Sequence, residues 1–311
     1  MQSNEFYLPN QLLQKRLGRP RKKQTNVTMA TNGICAEPLN KNNSVELLYS
    51  NPTMFRKLLQ YLKTMSAEEI HFDFKKTGLT IWAISHRKKN KFVATIHGDK
   101  LNRYYCAENI KLTFSCRCLE PVFLKIDKNY LSIVIFVIKG FENRNIDIRF
   151  DTKNKITEQH KIDVSVFPAS TENQFVNVDS TFKISFELPV KAFKKMINNI
   201  KLFSDIVTMS KPNASEPFRF EYFTNDRKIK SENLFLHPEN SKVQHYLLSN
   251  ESFRVSVTLE DIKVVACSML DCIVKLQLSE NKPIVAAIKS KDDTIDIVIY
   301  TQIADNRNIQ L

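Results

Sequence analysis

Apolar residues recur along this chain in two rhythms. From residue 45 onward, short runs rich in Val, Ile, Phe and Thr alternate apolar and polar positions, the period of half-buried strands. Two longer segments repeat at helical period instead. In 52–65, Met54, Phe55, Leu58, Leu62 and Met65 fall on one side, with Arg56, Gln60 and Lys63 opposite and Lys57 at the flank. In 189–203, Val190, Phe193, Met196, Ile197 and Ile200 make the apolar stripe, and Lys191, Lys194, Lys195, Asn198 and Lys201 make a face without an acid. The two helices share a spacing: an aromatic, two basic residues, an apolar residue, and a lysine eight positions after the aromatic.

The same reading predicts strands at 45–49, 70–74, 79–85, 92–96, 111–115, 131–137, 147–151 and 162–167, with a shorter helix at 118–126. A polar stretch, 168–179, reads as a linker that docks a few side chains on a surface. Strands follow at 182–188, 206–209, 218–223, 233–236, 254–258, 273–278, 284–289 and 294–301, with a second short helix at 259–270. Each half therefore runs strand, long helix, several strands, short helix, several strands. The fold class is α+β, and the order is that of a duplicated module. The expected divisions are a polar arm over 1–44, module one over 45–166, the linker over 167–180, module two over 181–303, and a tail over 304–311.

Charge sharpens this picture. The chain holds 46 Lys and Arg against 33 Asp and Glu, a net charge of +13. Residues 1–25 contain six basic residues and one acidic, which leaves +8 to the rest of the chain. Acids are missing from particular faces rather than merely outnumbered, and that points to a polyanion such as nucleic acid.

Other chemistries find little support. No phosphate-binding glycine loop, nucleophile elbow, zinc-protease motif or paired-carboxylate motif is present, so neither catalysis nor a cofactor is expected. Asp292, Asp293 and Asp296 lie between two predicted strands, where acids serve turns. The six histidines lack ligand spacing, and the cysteines at 35, 106, 116, 118, 267 and 272 form no C-x-x-C pair, so no metal is expected. Reduced, mostly buried thiols suit an intracellular protein. No apolar run approaches the ~20 residues of a membrane span, and no signal segment opens the chain.

Lys15 to Lys23 includes Gly18-Arg19-Pro20-Arg21-Lys22-Lys23, with the Gly-Arg-Pro core of an AT-hook. Such segments enter the narrow A·T minor groove while flanking lysines meet phosphates. Leu17 stands where a hook has a further arginine. A localisation signal or a non-specific phosphate tether remains open as the role of this arm.

The order of elements resembles the sliding clamps of the proliferating-cell-nuclear-antigen kind, and more closely the clamp-like proteins of asfarviruses and related large cytoplasmic DNA viruses. The resemblance is carried by the Gly18–Lys23 arm, Tyr49-Ser-Asn-Pro52, Ala94-Thr-Ile-His-Gly98 through Asn102-Arg-Tyr-Tyr105, and Val255 to Ala266 through Thr301-Gln-Ile303. It covers residues 45–303. It implies a ring, a homotrimer of two-module chains with helices lining a hole and sheets outside. Arg56, Lys57, Lys63, Lys194, Lys195 and Lys201 match inner-helix positions; Lys191 is added by helix geometry, and Lys125 and Lys263 come from the short helices. The strands at 131–137 and 206–209 are expected as edges that pair between copies. Partner peptides from a DNA polymerase and other replication and repair enzymes would dock among Phe92, Phe175, Val176, Val178, Pro283, Tyr300 and Ile303. The implied function is a DNA sliding clamp at a viral replication site, most readily in the host cytoplasm, with the nucleus open. Alternatives are a non-encircling DNA-binding scaffold and a monomeric or dimeric viral processivity factor.

Overall fold

The computed structural model describes residues 33–138, 145–163, 182–212, 218–223, 229–233, 247–248, 252–267, 269 and 271–303. The described fold is mixed α+β, built from antiparallel sheets with few helices. In chain order the first half holds β1 (Asn43–Tyr49), α1 (Thr53–Thr64), β2 (Glu69–Lys75), β3 (Gly78–Ile84), β4 (Asn90–His97), β5 (Arg103–Cys106), β6 (Ile110–Ser115), α2 (Cys116–Phe123), β7 (Tyr130–Ile138), β8 (Asn145–Thr152) and β9 (Thr157–Asp163). The second holds β10 (Ile184–Pro189), α3 (Val190–Lys201), β11 (Ile206–Lys211), β12 (Arg219–Phe223), β13 (Ile229–Asn233), β14 (Leu247–Leu248), β15 (Phe253–Thr258), α4 (Leu259–Ile262), a 3-10 turn (Lys263–Ala266), β16 (Ile273–Leu278), β17 (Ile284–Lys289) and β18 (Ile295–Thr301).

Three sheets result. The largest has nine strands, in the order β14-β10-β16-β17-β18-β4-β3-β2-β6; the others run β5-β1-β7-β8-β9 and β13-β12-β11-β15. The nine-stranded sheet joins the two halves of the chain where β18 pairs antiparallel with β4, from Ile295↔Ile96 to Thr301↔Asn90. Alternation gives each strand a buried face: in β4, Phe92, Ala94 and Ile96 are fully buried while Lys91, Val93, Thr95 and His97 are only partly covered.

The helices seat on those buried faces as their periodicity predicts. α1 buries Met54, Phe55, Leu58, Leu59, Tyr61 and Leu62; Tyr61 stacks on Phe92 at 5.4 Å and Phe55 on Phe123 of α2 at 5.5 Å. α1 stops because Ser66 takes a positive φ of 53°. Ser66 N–H then reaches Lys63 O and Ala67 N–H reaches Leu62 O, each at 3.0 Å, which caps the last carbonyls. α3 buries Val190, Phe193, Met196, Ile197 and Ile200. α4 starts at Thr258, whose side chain accepts from Asp261 N.

Several expectations need correction. The polar arm does not extend to residue 44. Glu46 is 1% exposed, and its carboxylate accepts from Leu39 N at 2.8 Å, Asn40 N at 3.0 Å, Asn43 Nδ2 at 2.8 Å and Arg103 Nε at 3.2 Å. Ile34 also bridges Tyr104 in parallel. A buried carboxylate needs such donors, so it holds residues 39–43 against β1 and β5 without any apolar rhythm, while backbone hydrogen bonds from Gly33 to Leu101 and from Cys35 to Tyr104 hold the start of the stretch. β5 itself was not predicted. Strands are described at Thr157–Asp163 and Ile229–Asn233; of the strands expected at 162–167 and 233–236, residues 164–167 and 234–236 lie outside the described residues. The shorter helices end earlier than expected: α2 at Phe123, and α4 at Ile262 before its 3-10 turn. Neither 131–137 nor 206–209 is an edge, because β7 lies between β1 and β8, and β11 between β12 and β15.

The turn between β2 and β3 depends on Gly78. Its φ is +151°, and a Cβ there would lie 2.1 Å from Ile96 O, a backbone atom that cannot step aside. Gly78→Ala is expected to cost about 2 kcal/mol or more. A lower urea midpoint with an unchanged slope would register it; an unchanged midpoint would show that the turn relaxes freely.

Candidate nucleic-acid interface

The helical pieces form a row. α2 packs on α1, α1 touches the 3-10 turn Lys263–Ala266, and that turn packs on α3. With their apolar stripes buried, α1 and α3 turn their cationic positions away from the core. Lys63, Lys191, Lys195 and Lys201 are exposed; Arg56, Lys57, Lys194 and Lys263 are half-buried. Lys57 and Lys194 act electrostatically on Cys272 and Cys267, two thiols of the segment that follows the 3-10 turn. Burial pushes the Cys267 thiol up to about 12 despite the help of Thr64 and Lys194.

Not every predicted cation is equally available. Arg56 donates from Nη1 to Ile126 O at 3.0 Å, which fixes its guanidinium without cancelling its charge. Lys63 approaches Glu120 at 3.5 Å, with 56% of its side chain exposed, and such a pair contributes little in water. Lys125 departs from the expected set. α2 ends at Phe123, so Lys125 lacks the helical phase assumed for it. Its ammonium turns to Glu158 and to His160 Nε2, 2.7 Å away. The acids of α4 are also occupied: Glu260 binds Arg87 at 2.7 Å, and Asp261 meets Thr258 and Asn90. These contacts leave the flanks of the row to its lysines.

The expected peptide pocket is only partly assembled among the described residues. Tyr300 pairs by register with Val285 on one side and Lys91 on the other, and burial raises its phenol. Pro283 and Ile303 are half-buried, and Ile303 packs on the core. Phe92 is not part of the pocket: it is fully buried beneath α1, on the face of β4 opposite Lys91. The alternation of β4 carries the signal, since Phe92 shares its phase with Ala94 and Ile96. Arg19, Arg21, Lys22, Lys23, Phe175, Val176 and Val178 lie outside the described residues. Trp82, which no sequence motif singles out, lies in the outward phase of β3, stacked on His71 at 3.7 Å with Lys91 Nζ 5.8 Å from its ring.

Among the described residues no cluster of His, Cys, Asp or Glu could hold a metal ion, and no helix is long and apolar enough to cross a membrane. Two of the three aspartates near β18 have partners within the fold. Burial pushes the Asp292 carboxyl up, but Ser290, Thr294 and Tyr49 outweigh it and hold it below its ordinary value. Asp296 binds His97 Nε2 at 2.8 Å.

No family model matches the chain. It is similar to an uncharacterized protein of African swine fever virus, in a Kenyan pig isolate, a Namibian warthog isolate and the Badajoz strain. Each is 21% identical over 272 residues, which cover 85% of this chain and 89% of the relative. The relatives are thus viral proteins.

A phosphate-facing role for α3 has a direct test. Changing Lys194, Lys195 and Lys201 together to alanine is expected to weaken duplex binding equally for all sequences. It should also flatten the dependence of log K on log salt by about 2.7, for about three lost phosphate contacts. An unchanged salt slope in a folded protein would show that these lysines face something else.

Proposed function

We propose that this chain is a DNA sliding clamp of the proliferating-cell-nuclear-antigen kind, a processivity factor that encircles duplex DNA and tethers replication and repair enzymes to it. The observation that carries this reading is the division of the sheets. The nine-stranded sheet consists of a five-strand block, β14-β10-β16-β17-β18, joined to a four-strand block, β4-β3-β2-β6. The two smaller sheets repeat those blocks. Each strand of β5-β1-β7-β8-β9 precedes its counterpart in the five-strand block by nine places, and the same shift relates β4-β3-β2-β6 to β13-β12-β11-β15.

The chain therefore makes one junction of this kind and holds both parts of a second. β9 is the counterpart of β18 and β13 that of β4, and each ends its sheet. An open strand edge is a template for another chain. Joining β9 of one copy to β13 of the next repeats the internal junction, and a repeated head-to-tail contact closes a ring when its rotation allows. With two modules per chain, three copies give six modules. Leu202 and Phe203, 75% and 39% exposed at the end of α3, follow Lys201 as Thr64 and Met65 follow Lys63. Met65 is buried, and a neighbouring copy would cover Phe203 likewise.

This geometry supports the proposed function. A ring that slides needs many weak phosphate contacts and few base contacts, and the lysine row of α1 and α3 supplies that chemistry. Enzyme peptides would anchor near Pro283, Tyr300 and Ile303, on the margin where β18 ends.

Light scattering is expected to give the mass of three chains at micromolar concentration, and the protein should stay on circular plasmid but slide off the linearised form. A monomeric mass, or equal retention on both DNAs, would overturn the reading. Deleting residues 1–30 is expected to leave this mass unchanged and to weaken initial DNA capture. A larger loss on A·T-rich than on G·C-rich duplex would identify a minor-groove hook, and equal losses an electrostatic tether.

A further inference from the structure

The strands at the two junctions differ on their helix-facing sides. β18 turns Ile297 and Ile299 inward, both fully buried. They pair with Ala94 and Phe92 of β4, also fully buried, so the junction within the chain is lined by hydrocarbon. β9 holds the same position beside β8. Phe150 pairs with Glu158 as Ile288 pairs with Ile297, and Ile148 pairs with His160 as Ala286 pairs with Ile299. Phe150, Ile148, Ile288 and Ala286 are all core residues, so Glu158 and His160 stand where β18 has isoleucines.

These two residues belong to a built cluster. Lys125 binds Glu158 and lies 2.7 Å from His160 Nε2. Tyr130 OH donates to Glu158 Oε1 at 3.2 Å. Lys125 holds the Glu158 carboxyl below its ordinary value. The Phe150 ring closes one side, with its centroid 6.0 Å from that of His160 and 5.8 Å from Lys125 Nζ. The opposing edge is also charged in sequence. β13 sets Lys230 and Glu232 opposite the buried Tyr222 and Phe220, whereas β4 sets Phe92 and Ala94 opposite Ala83 and Ile81.

We propose that the contact between copies is ionic where the contact within the chain is apolar: the β9 edge, with Lys125, Glu158 and His160, pairs with the charged β13 edge of a second copy, and salt separates the two. This rests on the head-to-tail reading above. Charges pointing inward from an edge strand discourage indiscriminate pairing, so the cluster also selects the partner. Mobile ions screen partly exposed charges but do not loosen an isoleucine seam. The ring would then open at junctions between copies while every internal junction holds.

Sedimentation of the full chain from about 50 to about 500 mM salt tests this, alongside the double variant Glu158→Ile, His160→Ile, which copies β18. The wild type is expected to lose at least about tenfold in association over that range. The variant should associate at least about tenfold more tightly at the high end, with most of the salt dependence gone. Salt-independent association of the wild type would overturn the proposal, as would a folded variant with the wild-type salt dependence. If the variant does not fold, the wild-type titration decides alone. Failure of both proteins to associate at any concentration would overturn the head-to-tail reading itself, a result distinct from salt-independent association.

Discussion

Everything in this molecule depends on the hydrogen-bond ladder between β4 and β18. A strand edge buried without partners leaves peptide groups unsatisfied at a cost of kilocalories each, and here the last strand of the chain supplies the partners for the fourth. Side chains secure the seam around the ladder. His97 binds Asp296, Tyr49 OH donates to Asp292 at 3.1 Å, Arg87 binds Glu260, and Gln302 N–H reaches Lys89 O at 2.8 Å. Because α1 packs both on β4 and on the 3-10 turn of the second half, the ladder also sets the order of the helical row.

That row shows how a fold accumulates like charge on one surface. The apolar stripe of each long helix secures it to a sheet, so the opposite face is under no packing constraint and can hold lysine after lysine. Glu120 approaches Lys63, but the carboxylates of α4 are drawn instead to Arg87, Thr258 and Asn90. Even Arg56, half-buried, keeps its charge, since its hydrogen bond to Ile126 is to a carbonyl. The surface is electropositive through the placement of acids as much as of bases.

Sequence pattern was a good guide wherever burial alone decides structure. The two long helices lie within a few residues of their predicted limits, and most strands do as well, because a period of two or of 3.6 records which face meets the core. It failed where polar chemistry decides. Residues 39–43 are fixed by the carboxylate of Glu46, which leaves no periodic trace. Edges are misplaced because hydrophobicity reports burial of faces and not the neighbours within a sheet: Ile133, Ile135 and Val137 of β7 are apolar because their face is buried, which does not record that β1 and β8 take both sides of its ladder. Lys125 joins the expected set only through a helix extended three residues too far. Phe92 was assigned to a surface although its phase in β4 places it inside.

The thiols carry a chemical consequence. Burial raises Cys106 and Cys272 above the ordinary thiol value, Cys116 to about 11 and Cys267 to about 12. Thiolate is the reactive form, so burial works against the reactivity of these four. Of the six cysteines, Cys118 on α2 is the exposed one. A soft electrophile should therefore find this protein mainly at Cys118, beside α1, and a label placed there would sit at one end of the lysine row without disturbing the core.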